Sequence, residues 1–317
     1  MSTRPTINDL GLSAGKKARL FRILYQHGLR NGTALFLPYD QGLEHGPRDF
    51  FANPAAGDPG YIARLAVEGG FNGIAIQIGL AEKFFWDFAG EVPLILKLNG
   101  KTEIPPDDEA LSPVHAAVED AVRLGADAVG YTLYVGTPAQ AADFEQYRQV
   151  RADARRLGMP LIVWAYPRGS AIEAKGGRDS FYAVDYAART ASELGADMVK
   201  VNFPHPEKRA GVPAQYDQDF SSQPAIDAVV RSANRTLVLV SGGSRAGDQA
   251  MLDKARQSAE AGVTGLIFGR NIWQRQHDES LRLVEQLHKI LAKYPSPSIE
   301  SFQSRHGSFG ENLGVPG

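Results

Sequence analysis

The sequence predicts a (β/α)8 barrel, and three observations carry that reading. A short phrase recurs in which a glycine and about two linking residues precede an apolar run. It reads Gly70-Phe-Asn-Gly-Ile-Ala-Ile, Gly125-Ala-Asp-Ala-Val-Gly-Tyr, Gly158-Met-Pro-Leu-Ile-Val-Trp, Gly195-Ala-Asp-Met-Val-Lys-Val and Gly262-Val-Thr-Gly-Leu-Ile-Phe. The glycines are 55, 33, 37 and 67 residues apart, which divides into six units of about 32, the size of a βα unit. Eight continuous apolar runs occur, at 34–39, 73–79, 94–98, 128–134, 161–166, 198–203, 237–241 and 265–269. Such runs are expected of a parallel sheet covered on both faces. The loop after the first run, Pro38-Tyr-Asp-Gln-Gly, is not the GxGxxG that a doubly wound open sheet usually carries there.

A helix over about residues 15–27 precedes the first strand. The glycine of each phrase belongs just past the end of a helix, where a left-handed backbone costs it nothing. Between phrases the apolar spacing becomes helical. From 112 to 125, Ser112 reads as an N-cap and Pro113 as the first helical residue, with Val114, Ala117, Val118, Ala121 and Val122 on one face. The last helix is expected from about 276 to 293. Residues 1–295 thus form one barrel domain, and the Ser-, Gly- and Pro-rich segment 296–317 reads as a tail, mobile or wrapped on an interface.

The 317 residues are 43% hydrophobic and 22% charged, ample for a large core, and a net charge of −2 gives no nucleic-acid footprint. The absence of cysteine excludes disulfides, thiolate zinc sites, iron–sulfur clusters and thiol catalysis. The seven histidines form no H-x-H or H-E-x-x-H pair, so no metal is expected. His45 beside Glu44 suits a loop hydrogen bond better than a ligand pair. No signal-peptide order and no long apolar span appear, which predicts a cytoplasmic protein without membrane contact.

In such a barrel, functional side chains stand at the C-terminal ends of the strands. Lys200, within Met198-Val-Lys-Val-Asn-Phe203, is a lysine in a run that otherwise reads as buried. Burial depresses an ammonium's pKa and frees the amine for Schiff-base formation with a ketone. An ion pair with a neighbouring carboxylate such as Asp40 is the plainer alternative, and Lys97 has the same profile, so pattern does not choose between the two lysines. The turn Ser241-Gly242-Gly243-Ser244, with Gly269 and Arg270, offers backbone N–H groups and a charge where barrels commonly hold a phosphate. Asp40 and Tyr166 are candidate proton carriers, the tyrosine through a pKa lowered beside an ammonium. Trp164 suits a pocket wall facing a sugar.

Five motifs in order, Pro38-Tyr-Asp-Gln-Gly-Leu-Glu-His-Gly46, Leu96-Lys-Leu-Asn-Gly-Lys101, Val163-Trp-Ala-Tyr-Pro-Arg-Gly169, Ser241-Gly-Gly and Gly269-Arg-Asn-Ile-Trp-Gln-Arg275, resemble the archaeal-type class I fructose-bisphosphate aldolases, the DhnA-like branch. The resemblance spans about residues 30–295. It implies Schiff-base cleavage of a phosphosugar without metal or cofactor, and a homo-oligomer of eight or ten chains. It implies Lys200 as the Schiff-base lysine, Tyr166 as the proton-transferring tyrosine with Trp164 beside it, and Asp40 as the strand-end aspartate. Ser241, Gly242, Gly243, Gly269 and Arg270 match the phosphate site. His45 and Arg168 fall in matching motifs as substrate contacts, with Arg168 or Lys175 for a second phosphate. The chain departs from many archaeal members at Gln41, and in Asn202-Phe203-Pro204-His205 and the segment 204–220.

Overall fold

In the computed structural model, which describes residues 4–206, 211–243 and 247–296, eight parallel strands close on themselves in sequence order, each bonded to the next and the last to the first. They are β1 Ala34–Pro38, β2 Gly73–Gln77, β3 Leu94–Lys97, β4 Ala128–Val135, β5 Leu161–Pro167, β6 Met198–Asn202, β7 Leu237–Ser241 and β8 Gly265–Ile267. Almost every strand residue is buried, as the unbroken apolar runs require. The five phrase glycines all adopt positive φ, between 61° and 91°, each ending a helix or turn ahead of its strand.

Successive strand residues face opposite sides, so the barrel lumen takes every second one. Ala34 and Phe36 of β1, Ile95 of β3, Ile162 of β5, Met198 of β6 and Leu239 of β7 form one inner cluster. Leu20, Ile23 and Leu24 join it from the N-terminal helix Ala14–Phe21 and the π-helical turn Arg22–Gln26. That segment closes the bottom of the barrel. Continuing two residues up β3, β5, β6 and β7 reaches Lys97, Trp164 with Tyr166, Lys200 and Ser241, so the lumen turns from apolar to polar toward the strands' C-terminal ends.

Three basic residues at intervals of three tie the plug to the lower rim. Lys16 Nζ donates to Asp197 Oδ2 at 2.6 Å, just before β6. Arg19 Nη1 donates to the Gly158 carbonyl at 3.1 Å, ahead of β5. Arg22 Nε donates to Asp127 Oδ1 at 2.7 Å, just before β4. The two aspartates are the third residues of the repeated Gly-Ala-Asp phrase.

One expected helix start is wrong. The helix near 112–125 is only Val118–Arg123, and Ser112 caps nothing. The Leu98 carbonyl accepts from both His115 N and Ala116 N, and Asn99 Nδ2 donates to the Ser112 carbonyl at 3.1 Å. These bonds hold 112–116 extended along the end of β3, leaving Val114, Ala117 and Val122 exposed and Val118 and Ala121 buried. The last helix is His277–Leu291. Of the tail, Ser296 donates its N–H to the Asn31 carbonyl at 2.8 Å; 297–317 lie outside the described residues. No helix among the described residues is long and apolar enough to cross a membrane.

Candidate active site

The C-terminal rim surrounds a cavity of about 340 Å³. Lys200 forms part of its wall, only 5% exposed. Burial pulls its ammonium down to about 8; Asp40 and Glu44 oppose the shift, while Lys97 and Arg270 reinforce it. Lys200 Nζ donates to Tyr166 Oη, the tyrosine reaching it from β5. No carboxylate among the described residues lies within ion-pair distance of this amine.

Lys97 differs. It is 1% exposed and off the cavity wall, with Nζ donating to Thr132 Oγ1 at 2.6 Å and 3.7 Å from Asp40 Oδ2. Its ammonium is also pulled down by burial, against Asp40 and Glu44. The carboxylate partner considered for Lys200 therefore belongs to Lys97, and Lys200 is the lysine that faces open space.

Trp164 is fully buried and paired in register with Lys200 across the β5–β6 ladder. Its ring centroid lies 4.3 Å from Lys97 Nζ and 5.7 Å from Lys200 Nζ. It stands between the lysines beneath the cavity rather than in its wall. Room for this arrangement comes from Gly130 of β4, where a Cβ would lie 2.7 Å from both the Lys97 stem and the Trp164 ring.

The expectation of a lowered tyrosine pKa is overturned. Burial pushes the Tyr166 phenol well above its ordinary value, and Glu44 and Asp40 push it the same way. Tyr166 is a neutral acid at rest. Asp40 stands at the N-cap position of the short helix Gln41–His45 but caps nothing. It lies in a narrow side cleft that shares Glu44 and Lys101 with the main cavity, and its Oδ1 is buried without a hydrogen-bond partner.

On the β7–β8 side, Ser241, Gly242, Gly243 and Arg270 line the cavity. Ser241 Oγ donates to Asn202 Oδ1 at 2.7 Å, and Asn202 Nδ2 donates to Asp179 Oδ1 at 2.5 Å. A Cβ on Gly269 would come within 2.9 Å of the Pro38 carbonyl, so that corner requires glycine, and one on Gly242 would displace the end of Asn271, 2.8 Å away. Gly269 lies behind the wall, directly before the short helix Arg270–Trp273, and Ser244 lies outside the described residues. His45 Nδ1 is 2.7 Å from Asp49 Oδ2, and Arg270 Nε is 3.9 Å from the same oxygen, so one carboxylate braces both at the mouth.

The opposite wall is cationic. Arg168 and Arg178 line it with Lys101, and Asp107 joins two of them, 2.8 Å from Lys101 Nζ and 3.1 Å from Arg168 Nε. Lys175 does not reach the cavity; its Nζ donates outward to the Gly211 carbonyl at 3.4 Å. Arg178, three residues on, lines the cavity instead. Sequence reasoning missed Arg178, Lys101, Asp107, Asn202 and Glu44. Of these, Glu44 and Lys101 stood in the quoted strand-end motifs without a role, and Asn202 lay two residues beyond Lys200 on the same strand face; Arg178 and Asp107 carried no signal. Among the described residues, no group of three or more His, Asp or Glu side chains is placed to hold a metal ion.

The arrangement joins a desolvated amine to a protonated phenol, flanked by anion-binding groups at two ends of one cavity. Over residues 34–275 the chain matches the DeoC/LacD family of aldolases. It is 39% identical over 263 residues to the class 1 fructose-bisphosphate aldolase of Thermoproteus tenax, covering 83% of this chain and 90% of that protein. It is 31% identical over 271 residues to a Methanocaldococcus jannaschii protein, a fructose-bisphosphate aldolase/6-deoxy-5-ketofructose 1-phosphate synthase, covering 82% of each. An archaeal fructose-1,6-bisphosphate aldolase, solved with its catalytic lysine covalently bound to the carbinolamine intermediate, superposes with a TM-score of 0.73 at 36% identity, over 86% of this chain and 99% of the other.

Proposed function

This chain belongs to the DeoC/LacD family of aldolases, and on that premise we propose that it is a class I fructose-1,6-bisphosphate aldolase. It cleaves the sugar reversibly to dihydroxyacetone phosphate and glyceraldehyde 3-phosphate through a Schiff base on Lys200. The observation that carries this reading is the amine itself: a lysine held near 8, open to the cavity and hydrogen-bonded to a neutral phenol.

Each step follows from those two groups. The free amine of Lys200 attacks the C2 ketone, and a proton passes from nitrogen to oxygen to give the carbinolamine. Tyr166 protonates the departing hydroxyl as water; the phenolate it becomes is stabilised by the new iminium. That phenolate takes the C4 hydroxyl proton as the C3–C4 bond breaks, and the bonding pair moves into the C2–N system as an enamine. The aldehyde leaves, Tyr166 returns its proton to C3, and water reverses the first steps. A phenol with a raised pKa suits both roles, since its anion exists only beside the cationic intermediate.

Asp40 Oδ1, buried and unpartnered, accepts from a substrate hydroxyl and orients it. The N–H groups around Gly242 and Gly243, with Ser241 and Arg270, hold the C1 phosphate, and Gly269 behind the wall turns the corner that presents Arg270. Arg168, with Lys101 and Arg178, meets the distal phosphate, His45 contacts substrate at the mouth, and Trp164 forms the floor. Residues 1–295 act as one domain, and the enzyme works as a homo-oligomer, octamer or decamer, which light scattering would read directly.

The test is borohydride reduction in the presence of dihydroxyacetone phosphate, followed by peptide mass mapping. A single adduct on Lys200 supports the assignment, and an adduct on Lys97 instead would move the site. No adduct at saturating ligand, with phosphosugar still bound, would make the barrel a binding protein. An adduct without bisphosphate cleavage would point to another Schiff-base carbon–carbon reaction of the family.

A further inference from the structure

Lys97 is a second buried lysine, and the reaction above does not use it. A buried ammonium is costly, and an apolar side chain would fill the same space without that cost. Yet the barrel is built around this one. Gly130 gives up its side chain so that the Lys97 stem can pass, Thr132 Oγ1 accepts from Nζ at 2.6 Å, and Asp40 stands at 3.7 Å. Asn99 holds Thr132 in turn, its Oδ1 accepting from Thr132 N at 2.7 Å and its Nδ2 donating to Thr132 O at 2.8 Å. The result fixes the Lys97 amine on the indole of Trp164, 4.3 Å from the ring centroid that Lys200 Nζ approaches to 5.7 Å, so the two nitrogens lie within about 10 Å of each other.

We propose that Lys97 is a positioning residue for the carbon–carbon chemistry: its ammonium, held by Thr132 and Asp40 against Trp164, keeps Lys200 in the free-amine form that attacks the ketone. Two effects act together. Lys97 repels a second positive charge on Lys200. It also engages Asp40, whose carboxylate would otherwise favour the charged form of Lys200. The other groups facing Lys200 are Glu44 on the helix after β1, Tyr166 on β5 and Arg270 after β8. Glu44 favours the ammonium with Asp40, and Arg270 opposes it, so removing Lys97 takes away one of the two cations that assist burial in holding the proton off Lys200. Lys97 itself is also faced by Glu44, and His115 feels its charge.

The inference rests on the Schiff-base reading, and the experiment separates the two. Initial rates of imine formation with dihydroxyacetone phosphate are measured by cyanoborohydride trapping across pH, with the Lys200 adduct quantified by mass. Wild type, Lys97→Met and Lys97→Gln are compared after circular dichroism has confirmed their folds. Wild type is expected to reach half its plateau near pH 8. Loss of a like charge at this distance, at an effective dielectric of about 20, moves that midpoint upward by about one unit. Trapping at pH 7 therefore falls about tenfold in both variants, while the plateau at pH 10 is kept. Lys97→Gln can still donate to Thr132, so it separates charge from hydrogen bonding and stands in if Lys97→Met does not fold. A midpoint unmoved in Lys97→Gln overturns the proposal, whatever happens to the plateau. No adduct in wild type overturns the Schiff-base reading, and this inference with it.

Discussion

Tyr166 and Lys200 meet by the tips of their side chains across the β5–β6 ladder, the amine donating to a phenol that burial keeps protonated. This contact makes the tyrosine the first proton donor of the cycle rather than its resting base. Tyr166→Phe keeps the ring and loses the proton. Cleavage is expected to fall roughly 100- to 10,000-fold, the usual worth of a positioned acid–base group, and the dihydroxyacetone phosphate adduct to form on Lys200 more slowly than in wild type, because the same phenol expels the carbinolamine hydroxyl. Steady-state cleavage set beside borohydride trapping checks this. An adduct that forms at the wild-type rate would show that another acid expels the carbinolamine hydroxyl.

A depressed lysine pKa is also a statement about stability. The unfolded chain holds the Lys200 proton to a pKa near 10.5, the folded chain only to about 8. Between those values the unfolded state binds more protons, so this residue's contribution to stability rises with pH across that window. Below pH 8 the burden is fully present, and above 10.5 it is gone. Lys200→Met should therefore abolish cleavage yet stabilise the fold at pH 7, by on the order of 3 kcal/mol, with the gain shrinking toward pH 10. Denaturant melts of both proteins at pH 7 and pH 10 measure it; a gain equal at both pH values would trace it to packing.

Asp107 occupies the cationic wall as a substrate phosphate would, between Lys101 and Arg168. A bisphosphate arriving there competes with this carboxylate; a sugar lacking the distal phosphate does not. Asp107→Asn is expected to lower KM for fructose 1,6-bisphosphate several-fold and leave fructose 1-phosphate unchanged. Arg168→Ala should raise the bisphosphate KM by about tenfold or more, the worth of a hydrogen bond to a charged group. Equal changes for both sugars would place the distal phosphate elsewhere.

These predictions mark where the sequence stopped being informative. The barrel was legible because its signals are local: a glycine with positive φ before five of the eight runs, and runs buried on both faces. Lys200 stood out for the same reason, as a charge in an apolar strand. What separates it from Lys97 is not local, since Thr132 comes from the next strand and Asp40 from the first. The direction of the Tyr166 shift was equally hidden, because it depends on burial of the phenol and on the charges of Glu44 and Asp40, which come from another strand's loop. Arg178, Lys101 and Asp107 lie on connections without periodicity. The false helix start at Ser112 arose because Asn99, thirteen residues earlier, claims the Ser112 carbonyl.

The lower rim offers a test of the fold apart from the chemistry. Lys16 and Asp197 are each about 10% exposed and bonded at 2.6 Å, and Asp197 Oδ2 also accepts from Leu161 N at 2.8 Å. Burial raises the Asp197 pKa even with Lys16 and that N–H opposing it. Removing the cation leaves a buried carboxylate that the backbone cannot release. Lys16→Met is expected to cost about 3–5 kcal/mol at pH 7, the usual cost of orphaning one partner of a buried pair. Because the Asp197 pKa then stands further above its unfolded value, the deficit should shrink as pH falls toward 4 and the acid takes up its proton. Adding Asp197→Leu to Lys16→Met should restore much of the loss, and denaturant melts of the three proteins at two pH values decide it. Cleavage by the folded fraction should be unchanged, since the plug seals the end of the barrel away from Lys200. A loss of kcat in folded Lys16→Met would show instead that the two ends of the barrel are coupled.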